Sequence, residues 1–432
     1  MKNWIFITGW MLLFTKLTLA QNKVALLDDP RISLQIRIDM IRNAQKTLDM
    51  ATYIYGNDEA SSQVIRELIL ASDRGVQVRL IVDDLNNHIP KTLLAYMIGK
   101  GIRIKEFNTF AMNKKLDNIQ RMHAKIIVAD RLKSIVGGRN IVNSYFYVGE
   151  QTNFRDREIF IAGRCGKEAS QRFEDLWFSA LLDEITHAKI LDEKKNIKVV
   201  KKYLTDLKEM PFLSVSAIKS TLDHIRFLNV AHVDIFMDRP HSYKYTEKHT
   251  TERLISLILK AQNQILIESP YVILQDSIFS ALKTAISKGV RVEILTNSMM
   301  TSDSWLVLPV YFKERDQLLK MGFQIKEYVA EDEYLHTKMM LFDDETVYIG
   351  SFNMDMLSAN INTEVMVEIH DKQVFEAAMA YYMETRSKSG SPVINPLKPT
   401  LLENKVTFKS LKKYGIIKML EHTVAPYFRD YL

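Results

Sequence analysis

Apolar positions in this chain follow a helical period, then a strand period, and the whole succession occurs twice. Ser33 to Leu48 carries apolar residues at helical spacing and runs into the apolar stretch of NAQKTLDMATYIY. Leu254 to Ile265 does the same and runs into KAQNQILIESPYV. The spacing next predicts a helix over Ser62–Asp73 that passes through Arg74-Gly75 into the strand VQVRLIV. Its counterpart, Ser277–Ser287, passes through Lys288-Gly289 into VRVEILT. A further helix ending at Gly101 leads to IRIKEF, matched by Gly322 and FQIKEY. Apolar strands alternating with helices predict α/β halves, each built on a sheet covered on both faces. So long an internal period points to a duplication rather than a solenoid.

The repeat sharpens at two stretches, MHAKIIVADRLKSIVGGRN (Met122 to Asn140) and LHTKMMLFDDETVYIGSFN (Leu335 to Asn353). His123, Lys125, Asp130, Gly137 and Asn140 in the first match His336, Lys338, Asp343, Gly350 and Asn353 in the second, every position offset by 213 (336 minus 123). A single His-x-Lys is weak, but five matched positions at fixed spacing, twice in one chain, are a strong signal. IIVAD and MMLFD read as buried strands that end in turns, so His123 and Lys125 share one face. Return strands at Ile135-Val136 and Val347–Ile349 end at the glycines. There the backbone is free to approach a ligand, and a helix start would offer N–H groups to an anion. Each repeat therefore supplies an imidazole, an ammonium, an amide and backbone donors, which is half of a phosphate site.

These motifs resemble those of the phospholipase D superfamily, whose signature is a doubled HxKxxxxD followed by GSxN or GGxN. RGVQVRLIVDD, IVGGRNI, FRDREIFIAG, SPY, KGVRVEILTNS and NMDMLSANINTE are most similar to its bacterial cardiolipin synthase-like branch, from about Leu26 to about Tyr382. The resemblance implies two duplicated α/β/α sandwich halves packed about a pseudo-two-fold axis with one shared active site. The first half is expected over residues 21–183 and the second over 252–386. It also implies that one histidine attacks phosphorus while the other protonates the leaving oxygen. His123 is then favoured as nucleophile. Lys125, Lys338, Asn140 and Asn353 would hold the phosphoryl oxygens. An attacking imidazole must keep its far proton, so a carboxylate is expected behind each. The acidic positions downstream in the family pattern are Asp156 and Glu364, assigned to His123 and His336 respectively. Asp130 and Asp343 complete the catalytic motif, bracing it at the turns. Gly137, Gly138, Gly350 and Ser351 are expected at the phosphate, with Gly138 departing from the GSxN form.

Composition adds less. A chain of 432 residues that is 47% hydrophobic and 25% charged is ordinary in composition, gives no sign of a disordered protein and has ample length for cores. A net charge of +6 suits an anionic partner, and it equally describes a mildly basic surface. Cys165 stands alone, so no internal disulfide forms. Residues 1–20 combine Lys2, an apolar run from Trp4 to Phe14 and Thr18-Leu19-Ala20, which reads as a cleaved signal peptide, with an uncleaved anchor as the alternative. The expected location is accordingly periplasmic or secreted, with peripheral attachment to membrane. Residues 184–251, with lysines clustered at 194–202, read as a solvated connector. Residues 387–432 read as a linker and a basic tail. Between Asn108 and Arg121 the first half carries an extra lysine-bearing loop.

No HExxH and no Cys/His cluster occurs, and the lysines supply charge at the phosphate, so neither metal nor other cofactor is expected. The favoured substrate is an anionic glycerophospholipid such as phosphatidylglycerol, its phosphatidyl group passing to an alcohol or to water. A secreted nuclease using the same histidines is the alternative. The chain lacks a concentrated basic-aromatic tract, which makes nucleic acid the lesser candidate. No obligate protein partner is inferred. Tyr53, Tyr55, Glu268 and Tyr271 sit at strand ends, where core packing and substrate lining are both open.

Overall fold

The computed structural model describes residues 22–109, 119–149, 151–185, 205, 225–242, 245–304, 307–330, 332–392 and 429. The expected signal segment, the lysine cluster at 194–202, most of the lysine-bearing loop and nearly all of the basic tail lie outside them.

The first half runs β1 (Asn22–Leu27), α1 (Pro30–Asn43), β2 (Thr47–Thr52), α2 (Glu59–Asp73), β3 (Gln77–Asp83), α3 (Lys91–Gly99) and β4 (Arg103–Phe107). It continues with β5 (Ile126–Ala129), β6 (Lys133–Gly137), β7 (Asn153–Arg155), β8 (Glu158–Ala162), α4 (Gly166–Trp177) and β9 (Leu182–Glu184). Four short strands follow: β10 (Leu228–Val230), β11 (Asp234–Met237), β12 (Arg239–Ser242) and β13 (Tyr245–Glu247). The second half opens with α5 (His249–Lys260), β14 (Gln264–Glu268), α6 (Asp276–Ser287), β15 (Arg291–Asn297), α7 (Val307–Lys320) and β16 (Gln324–Tyr328). Then come β17 (Glu333–Leu335), β18 (Met339–Phe342), β19 (Thr346–Gly350), α8 (Met356–Asn360), β20 (Val365–His370), α9 (Lys372–Ser387) and β21 (Ser389–Gly390).

Two mixed sheets result, ordered β10-β1-β8-β6-β5-β2-β3-β4-β9 and β11-β20-β19-β18-β14-β15-β16-β21. Within them β8-β6-β5-β2-β3-β4 and β20-β19-β18-β14-β15-β16 are the same topology, the duplication predicted from the repeats. Local chemistry explains the boundaries. The Asp29 side chain accepts from the N–H groups of Arg31 and Ile32 and starts α1, and Asp58 with Ser61 forms a capping box on α2. Helix α1 stops at Asn43, short of the Leu48 that its apolar spacing suggested, because Thr47–Thr52 pairs with β3 and β5 instead. Gly75 and Gly289, at φ +90° and +89°, turn the chain out of α2 and α6 into β3 and β15.

Each sheet buries its outer face under its own helices: Leu34, Ile38, Val64 and Leu68 in one core, Leu254, Ile258, Ile278 and Leu282 in the other. A third core is common to both halves. Val128, Val136 and Ile159 join Leu341, Ile349 and Val367 there, with α4 and α9 contributing Phe173, Trp177, Val374 and Tyr382. The stretch expected as a solvated connector is woven into both sheets over its last described residues, β10 pairing with β1 and β11 with β20. These strands are too short for their alternation to register in sequence. No helix among the described residues is long and apolar enough to cross a membrane.

Asp130 and Asp343, placed with the catalytic set from sequence, sit at the far ends of β5 and β18, on the order of 20 Å along the strand from the imidazoles. Both have positive φ, +54° and +53°. The Asp130 carboxylate accepts from the backbone N–H groups of Gln45 (2.9 Å), Lys46 (2.7 Å) and Thr47 (3.1 Å). That of Asp343 accepts from Gln262 (3.1 Å), Asn263 (2.7 Å) and Gln264 (3.2 Å). They brace each hairpin to the start of the neighbouring strand and do not reach the chemistry. Asp130→Ala and Asp343→Ala should therefore each cost about 1–3 kcal/mol of stability, read as a lowered urea midpoint. Lost turnover at an unchanged midpoint would return these residues to the site.

Candidate active site

The segments that carry the histidines are held by the opposite half. Strand β17, just ahead of His336, pairs in parallel with β7 of the first half, Leu335 opposite Arg155. His336 N–H donates to the Arg155 carbonyl at 2.8 Å. On the other side Met122, just ahead of His123, bridges Thr363, whose N–H donates to the Arg121 carbonyl at 2.9 Å. The strand ends add a clamp. Asp83 accepts from Met122 N–H at 3.1 Å, and Asn297 accepts from Leu335 N–H at 2.9 Å while donating to its carbonyl at 2.7 Å.

This pairing places each imidazole against the other half's acid. His123 Nδ1 lies 2.9 and 3.0 Å from the Glu364 carboxylate oxygens, and His336 Nδ1 lies 2.5 Å from Asp156 Oδ2. The assignment by sequence proximity, Asp156 to His123 and Glu364 to His336, is thus reversed. Parallel pairing across the interface sets each acid one residue beyond the partner of the residue preceding the opposite histidine. The pocket is nearly closed, with His123 7% and His336 6% exposed. Lys125 Nζ donates to the His123 carbonyl at 2.6 Å and lies over the Tyr53 ring. Lys338 Nζ donates to the His336 carbonyl and stands 3.1 Å from His336 Nε2 and 3.7 Å from Asp156.

Burial dominates the electrostatics. It drives the His123 imidazole below its usual range, against the pull of Glu364, and takes His336 down to about 4 with help from the Lys338 charge. Lys125 falls well below the ordinary lysine range, and Lys338 drops to about 8, burial outweighing both carboxylates. Asp156 and Glu364 are buried too, yet they stay below the usual carboxylate range. The Lys338 charge and the hydrogen bond from His336 hold Asp156 down, and the hydrogen bond from His123 does the same for Glu364. The resting pocket thus has ionised acids and neutral imidazoles whose Nδ1–H groups face those acids, leaving each Nε2 as the nitrogen that no acid engages.

The residues expected at the phosphate do other work. Ser351 donates to Glu364 Oε2 at 2.5 Å rather than facing the pocket, and Ser358 donates to Oε1 at 2.8 Å. Gly138, the counterpart of Ser351, makes room for the shorter acid: a Cβ there would stand 2.5 and 2.6 Å from the Asp156 oxygens. At Gly137 and Gly350 a Cβ would strike Glu158 and Val365, so these glycines serve strand packing. Asn140 accepts from Ile54 N–H at 3.0 Å and donates to the Tyr145 hydroxyl at 3.0 Å. Its amide is committed. The Asn353 side-chain oxygen has no partner among the described residues. On the second side the expected backbone donors are also used, Ser351 N–H on the Val365 carbonyl and Asn353 N–H on Ser358 Oγ.

Of the four strand-end residues left open, Tyr53 meets His123 edge-on at 5.0 Å and lines the site, and Tyr271 donates to Asp303 at 2.6 Å. Tyr55 is core, and Glu268 pairs with Arg157 at 2.5 Å. Sequence reasoning missed Tyr145, Phe154, Asp83, Asn297, Ser358 and Asp238. The last accepts from Glu364 N–H at 3.1 Å. Asp83 and Asn297 did leave a signal, a polar residue at the same end of two matched apolar strands.

The family model described as "Cardiolipin synthase, PLD-like domain" matches residues 37–177 and 254–385, one match per half. The chain belongs to the phospholipase D superfamily, in its cardiolipin synthase-like branch. Two relatives show its range. An uncharacterized protein of Helicobacter pylori is 32% identical over 387 residues, 79% of this chain and 75% of that one. Cardiolipin synthase C of Escherichia coli is 27% identical over 370 residues, 76% of this chain and 77% of its own. Among solved structures, phosphatidylserine synthase of Haemophilus influenzae aligns with a TM-score of 0.64 over 95% of both chains at 16% identity, which establishes the common fold. In this phospholipase D superfamily enzyme the duplicated motif and the described pocket coincide.

Two outcomes follow from the pocket. Glu364→Gln should disturb the imidazole ¹⁵N resonances of His123 and Asp156→Asn those of His336, each with about a 10²–10⁴-fold loss of turnover. The opposite pattern of resonances would reinstate pairing within each half. Lys338 is cationic below its depressed value and neutral above it, so kcat/KM should decline as pH rises through about 8. A profile flat to pH 10 would remove Lys338 from phosphoryl stabilisation.

Proposed function

We propose that the protein is a phospholipid phosphatidyltransferase working through a phosphohistidine. The observation that carries this reading is the pair of imidazoles, each backed by a carboxylate from the opposite half, in one buried pocket with two lysines. His123 is the nucleophile of choice, because its Nε2 has no hydrogen-bond partner among the described residues while that of His336 faces a hydroxyl. In the first step His123 Nε2 forms a bond to phosphorus as the ester P–O bond breaks, and the leaving alcohol oxygen takes a proton from His336 Nε2. In the second, an acceptor alcohol gives its proton to His336, its oxygen bonds phosphorus and the P–N bond breaks. The incoming phosphodiester anion raises the affinity of His336 for the proton it must hold. Lys125 and Lys338 supply the cationic charge around the phosphoryl oxygens.

The names of the curated relatives support a lipid substrate and cardiolipin as the product; the donor and acceptor in this reading are both phosphatidylglycerol. The leader-like residues 1–20 support export and action at a membrane surface. Amino-terminal sequencing of exported protein should begin at Gln21, and an intact Met1 on membrane-bound material would indicate an anchor.

His123→Ala and His336→Ala should each lower turnover by more than about 10³-fold, and label from a radioactive substrate should be trapped on His123. Label on His336 alone would exchange the two roles. With phosphatidylglycerol vesicles and a chelator present, cardiolipin should be the main product and phosphatidic acid the minor one. Phosphatidic acid alone would make the enzyme a phospholipase, nicked plasmid with intact lipid would make it a nuclease, and activity abolished by chelator would require a metal.

A further inference from the structure

The two histidines have the same backing but different fronts. Tyr145 follows Asn140 by five residues, in the short turn Asn143–Tyr145, and its side chain is buried. Its hydroxyl oxygen lies 3.2 Å from His336 Nε2. Four contacts in sequence assign a direction to each proton along this line, with Lys338 Nζ a second donor beside Nε2 at 3.1 Å. Ile54 N–H must donate, so it meets the Asn140 oxygen and turns the amide nitrogen toward Tyr145. The Tyr145 oxygen accepts from that nitrogen, which leaves its own O–H for His336 Nε2. The imidazole then donates from Nδ1 to Asp156. The counterpart of Tyr145 in the second half is Ser358, whose hydroxyl goes to Glu364 instead, and among the described residues no hydroxyl is bonded to His123 Nε2.

We propose that Tyr145 is a positioning residue whose hydroxyl occupies the place of the alcohol oxygen on His336 and reserves that nitrogen for an alcohol in preference to water. The inference rests on the two-histidine reading above and names what that site selects. A phenol is an O–H on a carbon frame, as an alcohol is. The surroundings fit the frame: Tyr145 stacks on Phe154 at 4.7 Å, both rings stand edge-on to His336, and Tyr334 closes on Phe154. An incoming alcohol replaces the phenolic O–H one for one and lays its carbon chain against this aromatic wall. Water replaces the hydrogen bond but leaves the wall bare. In the resting state the phenol also denies water the lone pair that would activate it. Among the described residues the charged groups acting most strongly on His336 are Lys338, Asp156 and, from the loop after β15, Asp303.

A donor to Nε2 favours the neutral imidazole, so deleting it should raise the His336 titration point. The test is Tyr145→Phe in the full chain, which keeps the ring, with melting temperature as the check on folding. ¹⁵N titration without any substrate should show His336 rising by about one pH unit, and a fluorinated phenol at 145, a stronger donor, should move it the other way. With phosphatidylglycerol vesicles, Tyr145→Phe should keep forming the phosphohistidine while the ratio of phosphatidic acid to cardiolipin rises about tenfold. An unmoved His336 titration in the folded variant overturns the contact, and an unmoved product ratio overturns the selection. Failure of the wild-type enzyme to form a phosphohistidine would instead fall on the proposed function, since the titration needs no turnover.

Discussion

Everything catalytic in this molecule depends on a few residues of parallel backbone pairing between its halves. Leu335 lies opposite Arg155, and Met122 bridges Thr363. In each case the next residue along one segment is a histidine and the next along the other is its acid. The register is strict: a slip of one residue would turn the carboxylate to the other face and leave a charge buried without a partner. The halves are therefore not two sites in tandem, because neither holds a complete imidazole–carboxylate pair.

That register is fixed by what surrounds it. The core common to both sheets fills the space between the halves with Val, Ile and Leu side chains and two helices. At its edge Arg157, immediately after Asp156, is fully buried and bonded to Asp28, Glu268, Thr385 and the Tyr381 carbonyl. A guanidinium spends its donors in fixed directions, so this network orients the chain that carries Asp156 as well as binding the halves. The hairpin braces at Asp130 and Asp343 do the corresponding task at the far end of the sheets.

The duplication has been used asymmetrically. Gly138 with Asp156 on one side answers Ser351 with Glu364 on the other, a shorter acid admitted by a missing side chain. Burial pushes the Asp83 carboxyl up to about 6, whereas its counterpart Asn297 clamps the same position without charge. Tyr145 faces His336 where Ser358 turns away from His123. Two nearly equal imidazoles thereby acquire different surroundings. Burying two lysines beside two acids keeps their charges responsive, so that an arriving anionic phosphodiester finds donors with few competing solvent contacts.

The chain by itself determined the duplicated α/β frame and the identity of the six groups in the pocket. Apolar periodicity records which faces are buried, the matched His-x-Lys stretches record four of the groups at fixed spacing, and the family resemblance supplied the two acids. The pairing of acids with histidines was not legible, since it is set by strands meeting across an interface some 180 or more positions apart in sequence, Asp156 with His336 and Glu364 with His123. Nor could sequence tell that Asn140, Ser351 and the motif glycines support the catalytic groups from behind. A side chain's type states which hydrogen bonds it can make, and only the packed structure decides where those bonds go. The same holds for Tyr145, an ordinary aromatic by sequence, which tertiary packing alone brings to His336.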